Sequence, residues 1–172
     1  MIAYAITDNI QLNNSLNRAD MILYRDKITT SYAQNAKIFL REAKKYNFSK
    51  ILLHGDYRLA YALGVDGVHL TSQQFHEIKY AKSLGLFVVI STHTLKEAFN
   101  ASQKGADMVT LSPIFATPNK GEPKGLDFLL KVSCLIDIPI IALGGILTQE
   151  QIEACREHGA SGFASIRYFT TQ

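Results

Sequence analysis

Tryptophan is absent from the chain, and cysteine occurs only twice, at Cys134 and Cys155. No CxxC pair or Cys/His ligand spacing accompanies them, which argues against a thiolate metal site. Both fall in segments of helical periodicity, so both are expected to pack in the core of a protein kept in a reducing cytosol. A dominant charge is missing too: 18 Lys and Arg face 15 Asp and Glu, a formal net charge of +3, and the basic residues are scattered rather than striped. That pattern disfavours nucleic acid and suits small anionic ligands. No apolar run approaches the about 20 residues that span a bilayer, and no basic-apolar leader is visible, so a cytoplasmic protein without membrane contact is expected. At 47% hydrophobic and 19% charged, residues 1–172 are expected to form one domain with a sizeable core.

What the chain does have is alternation of short β-rich runs with amphipathic segments. Eight strands are expected, roughly Ile2–Thr7, Met21–Tyr24, Ile51–His54, Gly67–Leu70, Phe87–Ser91, Met108–Ser112, Ile140–Leu143 and Gly162–Ile166. Most are three to six apolar residues without polar alternation, as parallel strands buried on both faces should be. Between them, Tyr32, Ala36, Phe39, Leu40 and Ala43 share one helical face, and Ile78, Ala81 and Leu84 share another. Thr94 and Thr148 stand where N-caps belong. Strand–helix alternation repeated eight times predicts an α/β fold, a compact closed (β/α)8 TIM barrel.

Two stretches near the end stand out. Residues Pro139 to Ile146 form an apolar run that stops at Gly144-Gly145, and residues Gly159 to Ile166 form a second glycine-bracketed strand. A turn without Cβ atoms lets backbone N–H groups approach an anion closely. Adjacent glycine-rich turns after strands 7 and 8 are where (β/α)8 barrels commonly bind phosphate, so a phosphate ester is the expected ligand. The recurrent Gly64-Val65-Asp66-Gly67, Gly105-Ala106-Asp107 and Gly159-Ala160-Ser161-Gly162 read instead as helix-to-strand turns.

The chain is short for this fold. Only residues 8–19 join strands 1 and 2, room for a turn or two of helix, and only a stub follows strand 8. Helix 1 should therefore be shortened and helix 8 nearly absent. Both gaps fall on adjoining sectors of the wall, so an uncovered apolar flank and a homodimer formed through it are expected.

Several motifs together resemble the thiamine-phosphate synthase and TenI-like barrels of thiamine biosynthesis. They are Tyr24-Arg25-Asp26-Lys27, the stretch from Leu59 to Leu70 that ends in Gly67-Val68-His69-Leu70, Ser91-Thr92-His93-Thr94, Gly105-Ala106-Asp107, the loop from Ser112 to Lys120, and Ala142-Leu143-Gly144-Gly145-Ile146. The resemblance implies the joining of an aminopyrimidine methyl diphosphate to a thiazole phosphate, with diphosphate leaving through a dissociative transition state. Such chemistry needs cations and donors placed in advance, usually including Mg²⁺. By family position, Arg25, Lys27, Ser91 and Lys120 fit the catalytic, diphosphate end. Thr117, Gly144, Gly145, Ser165 and Arg167 fit the phosphate contacts.

The departures from the family pattern are specific. Leu23 stands where the family carries Gln, His54-Gly55 where it carries Asn-Asp, and the run Thr71-Ser72-Gln73-Gln74 replaces the carboxylate expected after His69-Leu70. Asp56 is the remaining candidate metal ligand, reached by a one-residue shift, and the Mg²⁺ site is expected to be degraded. Arg167 replaces a Ser, and Pro113 stands where the tautomerase branch uses a His. Among the histidines, His69 reads as a hydrogen-bonded core residue, His93 as a candidate general acid or base, and His54 as a candidate whose role does not carry over. His76 and His158 read as helix-surface residues. Residues 119–124, rich in Gly, Pro and Lys, could serve as a mobile lid over bound substrate.

Three outcomes stay open on this basis: a synthase with a degraded Mg²⁺–diphosphate site, a non-catalytic or regulatory phosphate-ligand-binding paralogue, and a TenI-like thiazole tautomerase. A barrel activity on another phosphorylated sugar or indole substrate is a weaker fourth.

Overall fold

The computed structural model describes residues 1–170, and in it the eight expected strands close into one parallel barrel in sequence order, β1 pairing with β8. They are β1 (Ile2–Thr7), β2 (Met21–Tyr24), β3 (Lys50–His54), β4 (Gly67–Leu70), β5 (Phe87–Thr92), β6 (Met108–Leu111), β7 (Ile140–Leu143) and β8 (Gly162–Ser165). Six α-helices surround them among the described residues: α1 (Tyr32–Ala43), α2 (Tyr57–Leu63), α3 (Ile78–Ser83), α4 (Leu95–Gln103), α5 (Leu126–Ser133) and α6 (Gln149–Glu157). No helix among the described residues is long and apolar enough to cross a membrane.

Local chemistry sets the helix starts. Thr94 and Thr148 both cap through capping boxes, closed by Glu97 and Gln151, which satisfies two of the N–H groups that a helix leaves open. The aspartates of two recurrent turns, and Asp20 before β2, act at the strand bases. Asp20, Asp66 and Asp107 precede β2, β4 and β6, and their carboxylates accept from the N–H of Ala3, Ile51 and Val88, each at 2.7 Å. β2, β4 and β6 are thereby each tied to the base of the odd strand before them.

Alternation splits the apolar residues between two cores. Tyr4, Ile6, Met21, Leu23, Leu52, Val89, Met108, Ile141 and Ala164 fill the barrel interior. Ala5, Ile22, Tyr24, Leu53, Val88, Val109 and Phe163 face outward and pack beneath the helices. Cys155 belongs to this outer core, where burial pushes its thiol up to about 11. Cys134 does not: it lies at the exposed C-terminal end of α5, correcting the expectation that both cysteines are internal. Leu84 likewise ends α3 partly exposed, at 36%, rather than continuing its buried face.

The expected loss of helices 1 and 8 is observed, and the flank expected to lie uncovered is instead closed. A 3-10 turn (Asn14–Arg18) follows β1 and another (Arg167–Phe169) follows β8, and they dock on each other. The Ser15 hydroxyl donates to Phe169 O, and an Arg18 guanidinium N–H donates to Tyr168 O at 2.9 Å while stacking over the Tyr168 ring at 4.9 Å. Leu16 and Phe169 are buried with Ala5 and Phe163 in the outer core. The flank is covered because the two turns close over the small Ala3 and Ala5 of β1, with the Phe163 ring of β8 packed against Tyr168 and Phe169. A homodimer, expected on the strength of an exposed flank, loses that support.

Candidate active site

At the C-terminal ends of the strands, where barrel sites form, lies a cavity of ≈ 420 Å³. Its floor is apolar, built from Ile6, Leu23, Leu143 and Ala164. Around that floor stand four cations, Arg25, Lys27, Lys120 and Arg167, three histidines, His54, His69 and His93, and the hydroxyls of Thr71, Ser72, Ser91, Ser112 and Thr117. Among the described residues no carboxylate lines it.

Arg25 and Lys27 leave the end of β2, where Arg25 N donates to Thr7 O at 2.8 Å. Half-burial draws the Arg25 guanidinium below its ordinary range, and Arg25, burial and Lys120 together lower the Lys27 ammonium. The cations therefore sense one another, an arrangement that an anion between them would relieve.

On the opposite side, Gly144 and Gly145 take positive φ of 102° and 68°. They must be glycines for space as well: a Cβ on Gly145 would lie 2.5 Å from Ala116 O. The loop after β6 sits on this turn, with Ile114 N donating to Leu143 O at 2.9 Å and Phe115 N to Gly144 O at 3.0 Å. Among the described residues, the N–H groups of Gly145, Ile146 and Ile166 donate to no protein acceptor. Backbone donors left open beside an arginine make an anion cradle.

Two expected phosphate contacts are spent otherwise. Ser165 lines the cavity, but its hydroxyl donates to Ile146 O at 3.0 Å and accepts from Tyr168 N at 3.1 Å, bracing the turns after β7 and β8. Thr117 donates its proton to Phe115 O at 2.9 Å. In residues 119–124 the chain is exposed, and its end is fastened where Lys124 N donates to Pro113 O at 2.7 Å.

Asp56 is not brought to the site. It caps α2, accepting from Leu59 N at 2.9 Å, and does not line the cavity. Gln74, which stands at the missing carboxylate, is also committed: its Nε2 donates to Gly55 O at 2.7 Å and its Oε1 accepts from Thr71 N at 2.9 Å. An acid at this position would have no proton to give Gly55 O. Among the described residues no cluster of three or more His, Cys, Asp or Glu could hold a metal. A cavity lined by cations and neutral donors does not suit Mg²⁺, which favours carboxylate oxygens, so the residues present do not fit a protein-held metal.

The histidines divide by environment. Burial, Arg25 and Lys27 push His54 down to about 4, so its ring is neutral near pH 7. His93 donates from Nδ1 to Ser112 O at 3.0 Å, an acceptor-only oxygen, which leaves Nε2 as its basic nitrogen. His69 is hydrogen-bonded and 2% exposed, as a core histidine should be, and also lines the cavity floor, touching Ser91. Its dual position was visible only as a polar residue of inward parity at the end of a barrel strand. Thr71 and Ser72 also line the cavity as possible ligand contacts, a role the sequence masks because they stand in the run that replaces a metal-binding acid. His76 is exposed, whereas His158 is half-buried at the end of α6, bonded through Nδ1 to Ala154 O at 2.7 Å.

Known proteins resemble this chain in sequence and in fold. Residues 5–169 match the family model described as thiamine monophosphate synthase. A protein of Aquifex aeolicus, named as a candidate thiamine-phosphate synthase 2, is 41% identical over 129 residues, 73% of this chain and 68% of its own. A thiamine-phosphate synthase of Dictyoglomus thermophilum is 33% identical, with 85% and 68% covered. The solved thiamine phosphate pyrophosphorylase of Pyrococcus furiosus superposes with a TM-score of 0.78 at 26% identity, covering 96% of this chain and 85% of that one. The chain's share of a curated relative's length falls to 28% for a bifunctional protein of Symbiobacterium thermophilum. With a family match over nearly its whole length and a barrel of the same shape, the chain belongs to the thiamine monophosphate synthase family.

Proposed function

We propose that this chain binds thiazole phosphate or thiamine phosphate in the cradle of Gly144, Gly145 and Arg167, and a diphosphate group between Arg25, Lys27 and Lys120. In the same cavity it joins the thiazole nitrogen to the aminopyrimidine methyl carbon as the bond to diphosphate breaks. The observation that carries this reading is a cavity with cations at both ends and, among the described residues, no carboxylate between them. Negative charge that builds on the departing diphosphate meets fixed guanidinium and ammonium groups in a partly dry site, where they act more strongly than in water. The apolar floor of Ile6, Leu23, Leu143 and Ala164 suits the flat heteroaromatic rings.

The alternative is a non-catalytic phosphate-ligand-binding paralogue. Gln74 favours it, because the brace it makes to Gly55 and Thr71 occupies the place of a metal-binding acid. A thiazole tautomerase is less well supported, since Pro113 lines the cavity where that branch uses a histidine. Thiochrome fluorescence after incubation with both substrates, with and without Mg²⁺, separates these readings. Turnover that Arg25→Ala abolishes supports the synthase; thiamine phosphate binding without turnover supports the paralogue; neither would overturn both.

A further inference from the structure

A buried chain of hydrogen bonds leads from the barrel interior to the cavity. Tyr4, 0% exposed, bonds through its hydroxyl to His69 Nδ1 at 3.1 Å, and His69 Nε2 bonds to Ser91 Oγ at 3.1 Å. The Tyr4 and His69 rings stack, with centroids 5.8 Å apart at 20°. Only two proton arrangements satisfy both bonds. If Nδ1 carried the hydrogen, it would donate to the Tyr4 oxygen, and the Tyr4 O–H would be buried with no acceptor among the described residues. An unpaired buried donor is the costlier fault, whereas an oxygen with a spare lone pair is commonly tolerated. Tyr4 therefore donates, Nδ1 accepts, and the hydrogen of His69 sits on Nε2 and is given to Ser91.

We propose that Tyr4 is a positioning residue: by fixing His69 as the Nε2–H tautomer it occupies the acceptor side of Ser91 and turns the Ser91 hydroxyl proton into the cavity. Ser91 then presents a donor, and the ligand atom it meets is a hydrogen-bond acceptor, such as a pyridine-type ring nitrogen or a phosphate oxygen. Burial supports a fixed tautomer, since it pushes His69 down to about 3 and keeps the ring neutral across the working pH range. No other protein group competes for the Ser91 hydroxyl among the described residues.

Long-range ¹H–¹⁵N correlation spectra of the ligand-free protein, with His69 assigned by a His69→Gln control, test this directly. The expected wild-type signature is a pyridine-type Nδ1 and a pyrrole-type Nε2. In Tyr4→Phe, which removes only the hydroxyl, the Nδ1 resonance should move to that of an unbonded nitrogen or the two tautomers should mix. Affinity for thiamine phosphate should fall about five- to tenfold in Tyr4→Phe and in Ser91→Ala, with little further loss in the double variant. A pyrrole-type Nδ1 in the wild type, or a His69 spectrum unchanged by Tyr4→Phe, would overturn the proposal. Failure of the wild type to bind thiamine phosphate would count against the proposed function, and the spectra would still decide the tautomer.

Discussion

The Cα of Pro113 stands 2.8 Å from where a Cβ on Gly144 would lie, so the loop after β6 rests directly on the turn after β7. Gly144→Ala meets both that contact and a φ of 102°, and it should destabilise the fold by about 1–3 kcal/mol. It should also push the Thr117 side of the loop away from the cradle. Chemical denaturation together with calorimetric titration of thiamine phosphate checks both effects. Unchanged stability and affinity would remove this turn from the phosphate site.

Arg25→Ala should weaken binding of inorganic diphosphate at least about tenfold, and weaken its dependence on salt. The same change should let the Lys27 ammonium rise toward its ordinary value, because Arg25 is the first cause of its lowering. Titration of isotopically labelled lysine side chains by NMR reads the second effect. A Lys27 that does not respond would mean the two cations do not share a site.

Asp56→Ala removes an N-cap and should cost about 1 kcal/mol of stability. Diphosphate affinity, with or without Mg²⁺, should stay at the wild-type level. Loss of Mg²⁺-dependent binding or turnover in this variant would instead make Asp56 a metal ligand.

Stability should fall in mild acid. His54 and His69 are held at about 4 and about 3, below the ordinary value of 6.5 that they regain on unfolding. Between those limits the unfolded chain binds more protons, so stability is full above pH 6.5 and is lost as pH falls through the folded values. Each histidine contributes a slope of up to about 1.4 kcal/mol per pH unit. Inorganic diphosphate should flatten the His54 part, because it offsets the charges of Arg25 and Lys27. Denaturant titrations from pH 8 to pH 4, repeated in His54→Gln, check the assignment; an identical slope in the variant would refute it.

The barrel was legible because its signals are local. An apolar run such as Ile140–Leu143 ends at glycines, Thr94 and Thr148 each stand three residues before a Glu or Gln, and those features hold wherever the chain goes. All of the expected site residues except Asp56 do line one cavity. What was not legible depends on partners far along the chain. Ser165 looked free for phosphate until Ile146 and Tyr168 claimed its hydroxyl, and Asp56 looked available for a metal until Leu59 took it. Tyr4 carried no polar signal at all, because its place beside His69 is made only when β1 and β4 face each other across the barrel.

The two 3-10 turns over β1 and β8 show what an outer layer is for. Elsewhere whole helices shelter leucine, tyrosine and phenylalanine from water; here, above Ala3 and Ala5, a few residues on either side of one seam do the same with Leu16 and Phe169. Over β1 the shell can be thin because Ala3 and Ala5 are small, while Phe163 of β8 is met by the rings of Tyr168 and Phe169. Enlarging Ala5 would therefore press Leu16 and Phe169 off the seam that they close.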